Sequence, residues 1–454
     1  MHRRFSKTFK IIIGIIASLL VLILLVFVIG WVTDLISKPA IKKAADEARL
    51  YFVSLKRDDP GNAWDYYSEA VKKCKAVEST KILSKYLDGI IEITPAVMKA
   101  ILDNLDVVEK IEEGAKQDYY YYPYNYEKGI LIEFPDFTSF RKAAELVASK
   151  SLYDLESGRG DVALDELFSV MTFGKHVATG APMLLDQITG TIIVDRALKI
   201  LEMGIASGTF DEGQLENISE FLDDLEKHWP MLAYAFSSEV KLSQLSLEAN
   251  AGKEVMLAAI WGNRESGGGF VRMFLLRLLC WRSFFSPYRS IYKSLAFMEA
   301  FSSDLEKTER DILEGKKDNT SKKQEVDALN KGIEDFKRRN FFFRITAPNY
   351  ENMLKRKFVY ITKLRIAIAS SQIETYKLRR GRFPQNLSEI AESMLVDFNT
   401  GKLLQYTNYG DSVTLFSPGP DLERIRDNVT ISLNHLGIRK FLERKRKNQP
   451  VQSE

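Results

Sequence analysis

The chain has 454 residues, 45% of them hydrophobic and 28% charged, with only two cysteines. That composition excludes a disordered chain, a collagen-like chain and a disulfide-stapled mini-protein. The net charge of +3 gives no ground for a nucleic-acid partner, but it is unevenly placed: residues 1–10 and 439–454 carry +4 each, and everything between them carries −5.

Residues 11–33 are 23 consecutive positions without a formal charge, most of them Ile, Leu, Val or Phe. As a helix they extend about 34 Å, enough to cross a hydrocarbon layer of about 30 Å. Trp31 stands near the far end, where an indole favours the interface. Arg3, Arg4, Lys7 and Lys10 precede the span, whereas mixed charge follows it, so the N-terminus is expected in the cytoplasm and the rest outside it. The apolar run exceeds that of a signal peptide, and Val32-Thr33-Asp34 offers no small-x-small cleavage site. The expectation is an uncleaved single-pass anchor in the cell (inner) membrane, with the lipid bilayer as its partner.

Beyond it the pattern is helical. Residues 42–56 read as an exposed, charged stalk continuing the anchor. Asn62 follows a Pro-Gly turn and is placed to cap a helix from Ala63. Tyr119–Tyr126 holds six tyrosines in eight residues. Such a segment packs apolar area under wet hydroxyls or offers stacking faces to a glycan. Residues 140–155, a Gly-containing break, and a helix opening at Asp161 read as a tetratricopeptide-like hairpin without a clean 34-residue repeat. Helices at 181–206 and 212–227 follow, the second capped near Thr209 or Asp211. Residues 270–285 hold twelve apolar residues but also Arg272, Arg277 and Arg282. The arginines cost more than the apolar residues return, so this segment does not span. It is either interfacial or a buried helix with snorkelling arginines. Residues 302–340 are the most charged stretch and read as a solvated helical connection. A long helix over 350–379 then carries one apolar stripe at Leu354, Phe358, Ile361, Leu364 and Ile368. A short helix at 388–395 and two strands, 402–408 and 412–418, complete the pattern.

Tyr376, Gly381, Phe383, Pro384, Leu387, Gly401, Lys402, Tyr406, Ser417, Gly419 and Asp421 stand in a specific order. Over roughly 350–430 this end resembles the globular part of the type II secretion pseudopilins. The whole chain resembles a group of large, uncharacterised bacterial single-pass membrane proteins in which Ala-Pro-Asn, here Ala347-Pro348-Asn349, opens the long helix. The resemblance implies architecture and location, and no activity. Two departures stand out. After Gly14 come Ile15 and Leu19 where a pilin peptidase site has Phe and Glu, so pilin-like processing is not expected. The loop where major pseudopilins bind calcium here interleaves Asp421, Glu423 and Asp427 with Arg424 and Arg426, which is wrong for a cation.

No nucleophile elbow, zinc-protease, Walker or dinucleotide motif occurs. Cys74 and Cys280 are too far apart in sequence for a metal or redox pair; two separate buried thiols are the expectation, a bridge the alternative. His176, with Asp186 and Gln187 downstream, is weighed as an acid–base pair against a polar spot bonded to a neighbouring helix end. His228 ends a helix, where the dipole favours it. The basic tail after residue 438 reads as a frayed terminus or a contact with anionic envelope polymer.

The expected fold is mainly α. A cytoplasmic tail (1–10) and transmembrane helix (11–33) precede an extracytoplasmic helical-repeat-like domain (34–301). A charged connection (302–340), a small α+β pseudopilin-like module (341–438) and a basic tail (439–454) follow. The expected function is envelope binding or scaffolding beside a secretion or cell-envelope complex, with protein partners, no cofactor, no metal and no catalytic residue named. The alternative is an envelope enzyme or glycan-binding protein using Tyr119–Tyr126.

Overall fold

A computed structural model describes residues 2–57, 60–74, 80–180, 183–248, 287–313, 350–390, 403–418 and 429–433, with single positions at 397 and between 328 and 338. The fold is mainly helical with one small sheet. The elements are α1 (His2–Leu55), α2 (Ala63–Cys74), α3 (Thr80–Leu87), α4 (Pro95–Leu102), α5 (Leu105–Ala115), α6 (Phe137–Glu156), α7 (Gly160–Gly180), α8 (Leu184–Ser207), α9 (Glu212–Lys227), α10 (Leu232–Glu248), α11 (Pro287–Leu313) and α12 (Tyr350–Arg380). They are followed by β1 (Gln405–Asn408), β2 (Val413–Ser417) and β3 (Val429–Leu433).

Local chemistry sets several helix starts. Asp136 accepts the Ser139 N–H to open α6, and Thr94 accepts the Val97 N–H with Pro95 at the first helical position of α4. Asp211 and Gln214 form a reciprocal capping box at α9. α6 and α7 are a helix pair joined across residues 157–159.

α7 and α8 pack at close range because Gly174 and Gly190 face each other. A Cβ on Gly190 would stand 2.3 Å from the Gly174 carbonyl oxygen and 2.7 Å from the Ala178 methyl. One apolar core runs from Ala63 in α2 to Leu433 in β3, taking in α2–α9, α12 and the sheet. α12 lies inside it. Ile361, Leu364, Ile366, Ala367, Ile368, Ala369 and Ile373 are all buried, so the single expected stripe is in fact a helix covered on most of its circumference. Covering elements on both sides, α8 and α9 together with β2 and β3, account for this. Leu354 is outside the described side chains. Polar contacts fix the seating: Arg365 donates to Glu226 at 2.6 and 2.8 Å, Arg379 pairs with Glu212 and Glu216, and the Ser219 and Ser371 hydroxyls meet at 2.6 Å.

Three expectations change. Residues 42–55 continue α1 but are not a free stalk: Ile41, Ala45, Ala48 and Phe52 are buried against α10, α11 and the tyrosine segment. Their spacing of 4, 3 and 4 is a helical stripe that the interleaved charges mask. The charged stretch after residue 301 is not solvated throughout, since Ser302, Leu305, Thr308 and Glu309 of α11 are buried. The expected hairpin forms between β1 and β2, with Gln405 opposite Phe416, and β3 adds a third antiparallel strand that the sequence reading missed. Residues 270–285 lie outside the described residues, as do 391–396 of the expected short helix; its start is a single 3-10 turn at Leu387–Glu389.

Beneath α10 lies a buried ion pair. Glu309 of α11 accepts the Leu232 and Ala233 N–H groups at 3.1 and 2.9 Å, and Lys357 of α12 donates to Glu309 at 2.8 Å and to the Pro230 carbonyl at 2.9 Å. Both side chains are almost fully buried.

Lys357→Met is expected to lower unfolding free energy by about 3–5 kcal/mol in urea titration, because it strands a buried carboxylate. Adding Glu309→Gln removes that charge while keeping an oxygen for α10, so the double variant recovers part of the loss. Gly190→Ala is expected to cost about 1–3 kcal/mol or more by forcing α7 and α8 apart, read as a lowered thermal midpoint.

Candidate functional site

The tyrosine segment is positioned by Asn62 at the start of α2. Its side-chain oxygen accepts the Tyr121 and Trp64 N–H groups at 2.9 and 3.1 Å, and its amide donates to the Tyr121 carbonyl at 2.9 Å. Ala63 N–H donates to the Tyr119 carbonyl at 2.9 Å. On the other side the segment lies against the end of α7, where a Cβ on Gly180 would stand 2.1 Å from the Tyr120 carbonyl oxygen. The rings turn inward. Tyr120, Tyr121, Tyr124 and Tyr126 are buried, and Phe52 stacks on Tyr126 with centroids 4.1 Å apart. Tyr119 and Tyr122 alone in this group keep appreciable exposure.

Two clefts flank the segment. One, of about 500 Å³, is lined by Arg57, Tyr119, Tyr121, Lys175, His176 and Asp224. The other, of about 680 Å³, shares Arg57, Tyr119 and Tyr121 and adds Arg49, Asn62 and Trp64. The last turn of α1 forms a wall of both.

Most charged groups here already have partners. Lys175 donates to Asp224 at 2.9 Å, and His228 meets the same carboxylate at 2.8 Å. The hydrogen bond from Lys175 holds the Asp224 carboxyl below the usual carboxylate range. Arg49 pairs with Asp46, Glu127 and Glu248, and the Arg57 guanidinium lies 5.4 Å from the Tyr119 ring centre. His176 Nδ1 shares a hydrogen bond of 2.9 Å with the Tyr67 hydroxyl, and both residues are buried. Burial, with the nearby Lys175 charge, pushes the imidazole down to about 4, so it is neutral at neutral pH.

The structure separates the two residues weighed as an acid–base pair. His176 bonds Tyr67, whereas Asp186 accepts the Tyr124 hydroxyl on both oxygens, at 2.9 and 3.1 Å. Burial raises the Asp186 carboxyl well above its ordinary range, and that of Glu239 upward as well. Gln187 bonds the Met231 carbonyl at 3.1 Å, fastening α8 to the corner before α10. Cys74 is a buried free thiol pushed up to about 12 by burial, which makes it unreactive. Cys280 lies outside the described residues, as do Asp421, Glu423 and Asp427. Among the described residues no cluster of three His, Cys, Asp or Glu could hold a metal ion.

Of the C-terminal motif residues, Phe383, Pro384, Leu387 and Tyr406 are brought together. Phe383 is buried, Tyr406 hydroxyl and Asn408 amide both donate to the Pro384 carbonyl, at 2.6 and 2.8 Å, and Leu387 is buried beside them. Glu389 gathers the Tyr376 hydroxyl, the Arg382 guanidinium at 3.0 Å and the Gln385 N–H at 2.7 Å. The Tyr376 hydrogen bond and these donors bring its carboxyl down to about 2. Ser417 is buried at the end of β2; Gly401, Lys402, Gly419 and Asp421 lie outside the described residues. Glu389 and Asn408 escaped the sequence reading because their roles depend on a carbonyl and a phenol brought from elsewhere in the chain.

Compared with family models, with curated proteins and with solved structures, the chain matches none.

His176 gives this region a pH signature. Its folded value of about 4 lies below the unfolded value near 6.5, so the unfolded chain takes up the proton first. Stability is therefore full above about pH 6.5 and falls as pH drops toward 4, by up to about 3 kcal/mol. Urea titrations at successive pH values should show this slope, and His176→Gln, which keeps a partner for Tyr67, should flatten it.

Proposed function

We propose that the chain is a single-pass membrane protein, N-terminus in the cytoplasm, whose body outside the cytoplasm binds or scaffolds envelope components. The observation that carries the reading is the unburied apolar surface of α1. Val21, Leu22, Leu24, Leu25, Val28, Ile29 and Val32 are 39–65% exposed, spread over roughly 160° of the helix. Large apolar surface left open on a helix marks a place where lipid or protein covers it. Among the described residues no helix is long and apolar enough to cross a membrane, and most side chains of 11–33 fall outside those residues. The anchor rests on the sequence of 11–33 together with the exposed positions above.

Binding is favoured over catalysis by the state of the clefts. Lys175, Asp224, His176 and Arg49 have their charge or hydrogen-bonding capacity engaged by protein partners, and Lys56, Arg57, Asp65 and Asp118 line the clefts beside the aromatic side chains as groups that could hold a ligand. The finer reading is that α6 and α7 form a tetratricopeptide-like hairpin and that α12 with β1–β3 is a pseudopilin-like module, used here to pack against α8 and α9. A contact with a secretion or envelope complex follows only by analogy of fold.

The test is membrane extraction. The protein is expected to stay in the membrane pellet after alkaline carbonate, and Leu22→Arg, Leu25→Arg and Ile29→Arg together should move it to the supernatant. Three arginines at the centre of a span cost about 8–10 kcal/mol of insertion. A phosphatase that folds only outside the cytoplasm, fused after Glu454, should be active; its inactivity would reverse the orientation.

A further inference from the structure

The clamp between α1 and the body begins very close to the end of the apolar run. Among the described side chains Ile41 is the first buried one of α1, packed with Val240 of α10 and Leu295 of α11, and Tyr292 and Met298 of α11 close around it. From Thr33 to Ile41 is eight residues, about 12 Å of helix. The headgroup layer on one side of a bilayer is about 5–8 Å deep, and a helix with its side chains is about 10–12 Å across. A helix crossing α1 at Ile41 therefore reaches down to the headgroups. Leu35 and Ile36, 50% and 71% exposed, carry apolar surface further into the same gap.

Within the mixed charge that follows the span, residues 35–43 carry three lysines and no acid. Lys38, Lys42 and Lys293 are exposed and stand in no ion pair among the described residues, while Lys43 faces Glu47 at 3.7 Å. Asp46 is engaged by Arg49 at 3.0 Å, and Glu299 is the nearest exposed acid along α11. Pro39 lies within α1 between the apolar run and the clamp. Having no N–H, it cannot make the helical hydrogen bond to the Leu35 carbonyl.

We propose that the body rests directly on the phospholipid headgroups of the bilayer that α1 crosses, through α11 and the lysines of residues 38–43. This rests on the anchor reading above and goes beyond it: the body is apposed to the membrane and its clefts, at the end of α1, stand at a fixed height. Val53, twenty residues beyond Thr33 and 69% exposed, is about 30 Å along the helix and clear of the lipid.

The full chain is placed in nanodiscs of phosphatidylethanolamine with a minority of phosphatidylglycerol. A photoreactive phenylalanine analogue replaces Lys42, Lys293 or Val53 in turn, all exposed positions whose variants are checked for an unchanged thermal midpoint. Phospholipid adducts are expected at 42 and 293, with a several-fold lower yield at 53. An adduct at 42 without one at 293, or equal yields at 293 and 53, overturns the apposition while the anchor stands. No adduct at 42 or 293 also overturns the apposition. The anchor is read separately from the same analogue at Leu25, inside the apolar run, where absence of a phospholipid adduct would sink the anchor and this inference together.

Discussion

The buried contact between Glu309 and Lys357 joins parts of the chain that no local rule would bring together. α10 starts at Leu232 directly after a Pro230 corner, so its first N–H groups lack a capping side chain of their own. Glu309 supplies both acceptors from α11, and Lys357 neutralises it from α12 while also binding the Pro230 carbonyl. Ser302 adds a hydrogen bond of 2.9 Å to the Ala233 carbonyl. A buried carboxylate is tolerated only when paired and hydrogen-bonded, so each partner constrains the others. The corner thereby sets how α11 meets α10, and α11 in turn helps hold α1.

α1 is one helix with two kinds of surface. Its described apolar side chains between Val21 and Val32 are open; from Ile41 the apolar positions narrow to a single stripe that the body covers. The clefts beside Tyr119 are walled by the last turns of the same helix. The same economy appears at the tyrosine segment. Asn62 pins its backbone, Asp186 takes one phenol, and Phe52 of α1 stacks on another, making this segment the seam between α1 and the helical core.

Much of the fold was legible because its signals are local. Asp211 with Gln214 fixes the start of α9, Gly and Pro punctuate the end of α12, and Tyr409-Gly410-Asp411 separates β1 from β2. The residues that failed to announce themselves act at a distance. Phe52 and Ala48 look like members of a charged stalk until α10 is laid against them. Glu309 looks like one more acid in a solvated stretch. β3 follows a charged segment and is only five residues long, and its Ile431 and Leu433 gain meaning from the core they reach. His176 and Asp186 lie ten positions apart and suggested a pair, yet the packing of α7 on α8 gives each its own tyrosine.

The sequence by itself determined a long uncharged apolar run with basic residues before it, a helical chain, and a motif-bearing C-terminal turn. These depend on hydropathy, charge and backbone preference, which are properties of neighbours in the chain. Tertiary structure alone decided that the charged half of α1 is clasped, that α12 lies within the core, and that the tyrosines turn inward. Each of those depends on which face meets which, and a face is completed only by residues distant in the chain, 59 positions for Asn62 and Tyr121 and 199 for Arg49 and Glu248. The opening charge count follows the same division: the first +4 stands before the apolar run, while Ile41 and Leu295, near neighbours in sequence of Lys42 and Lys293, are brought together only by the packing of α11 on α1.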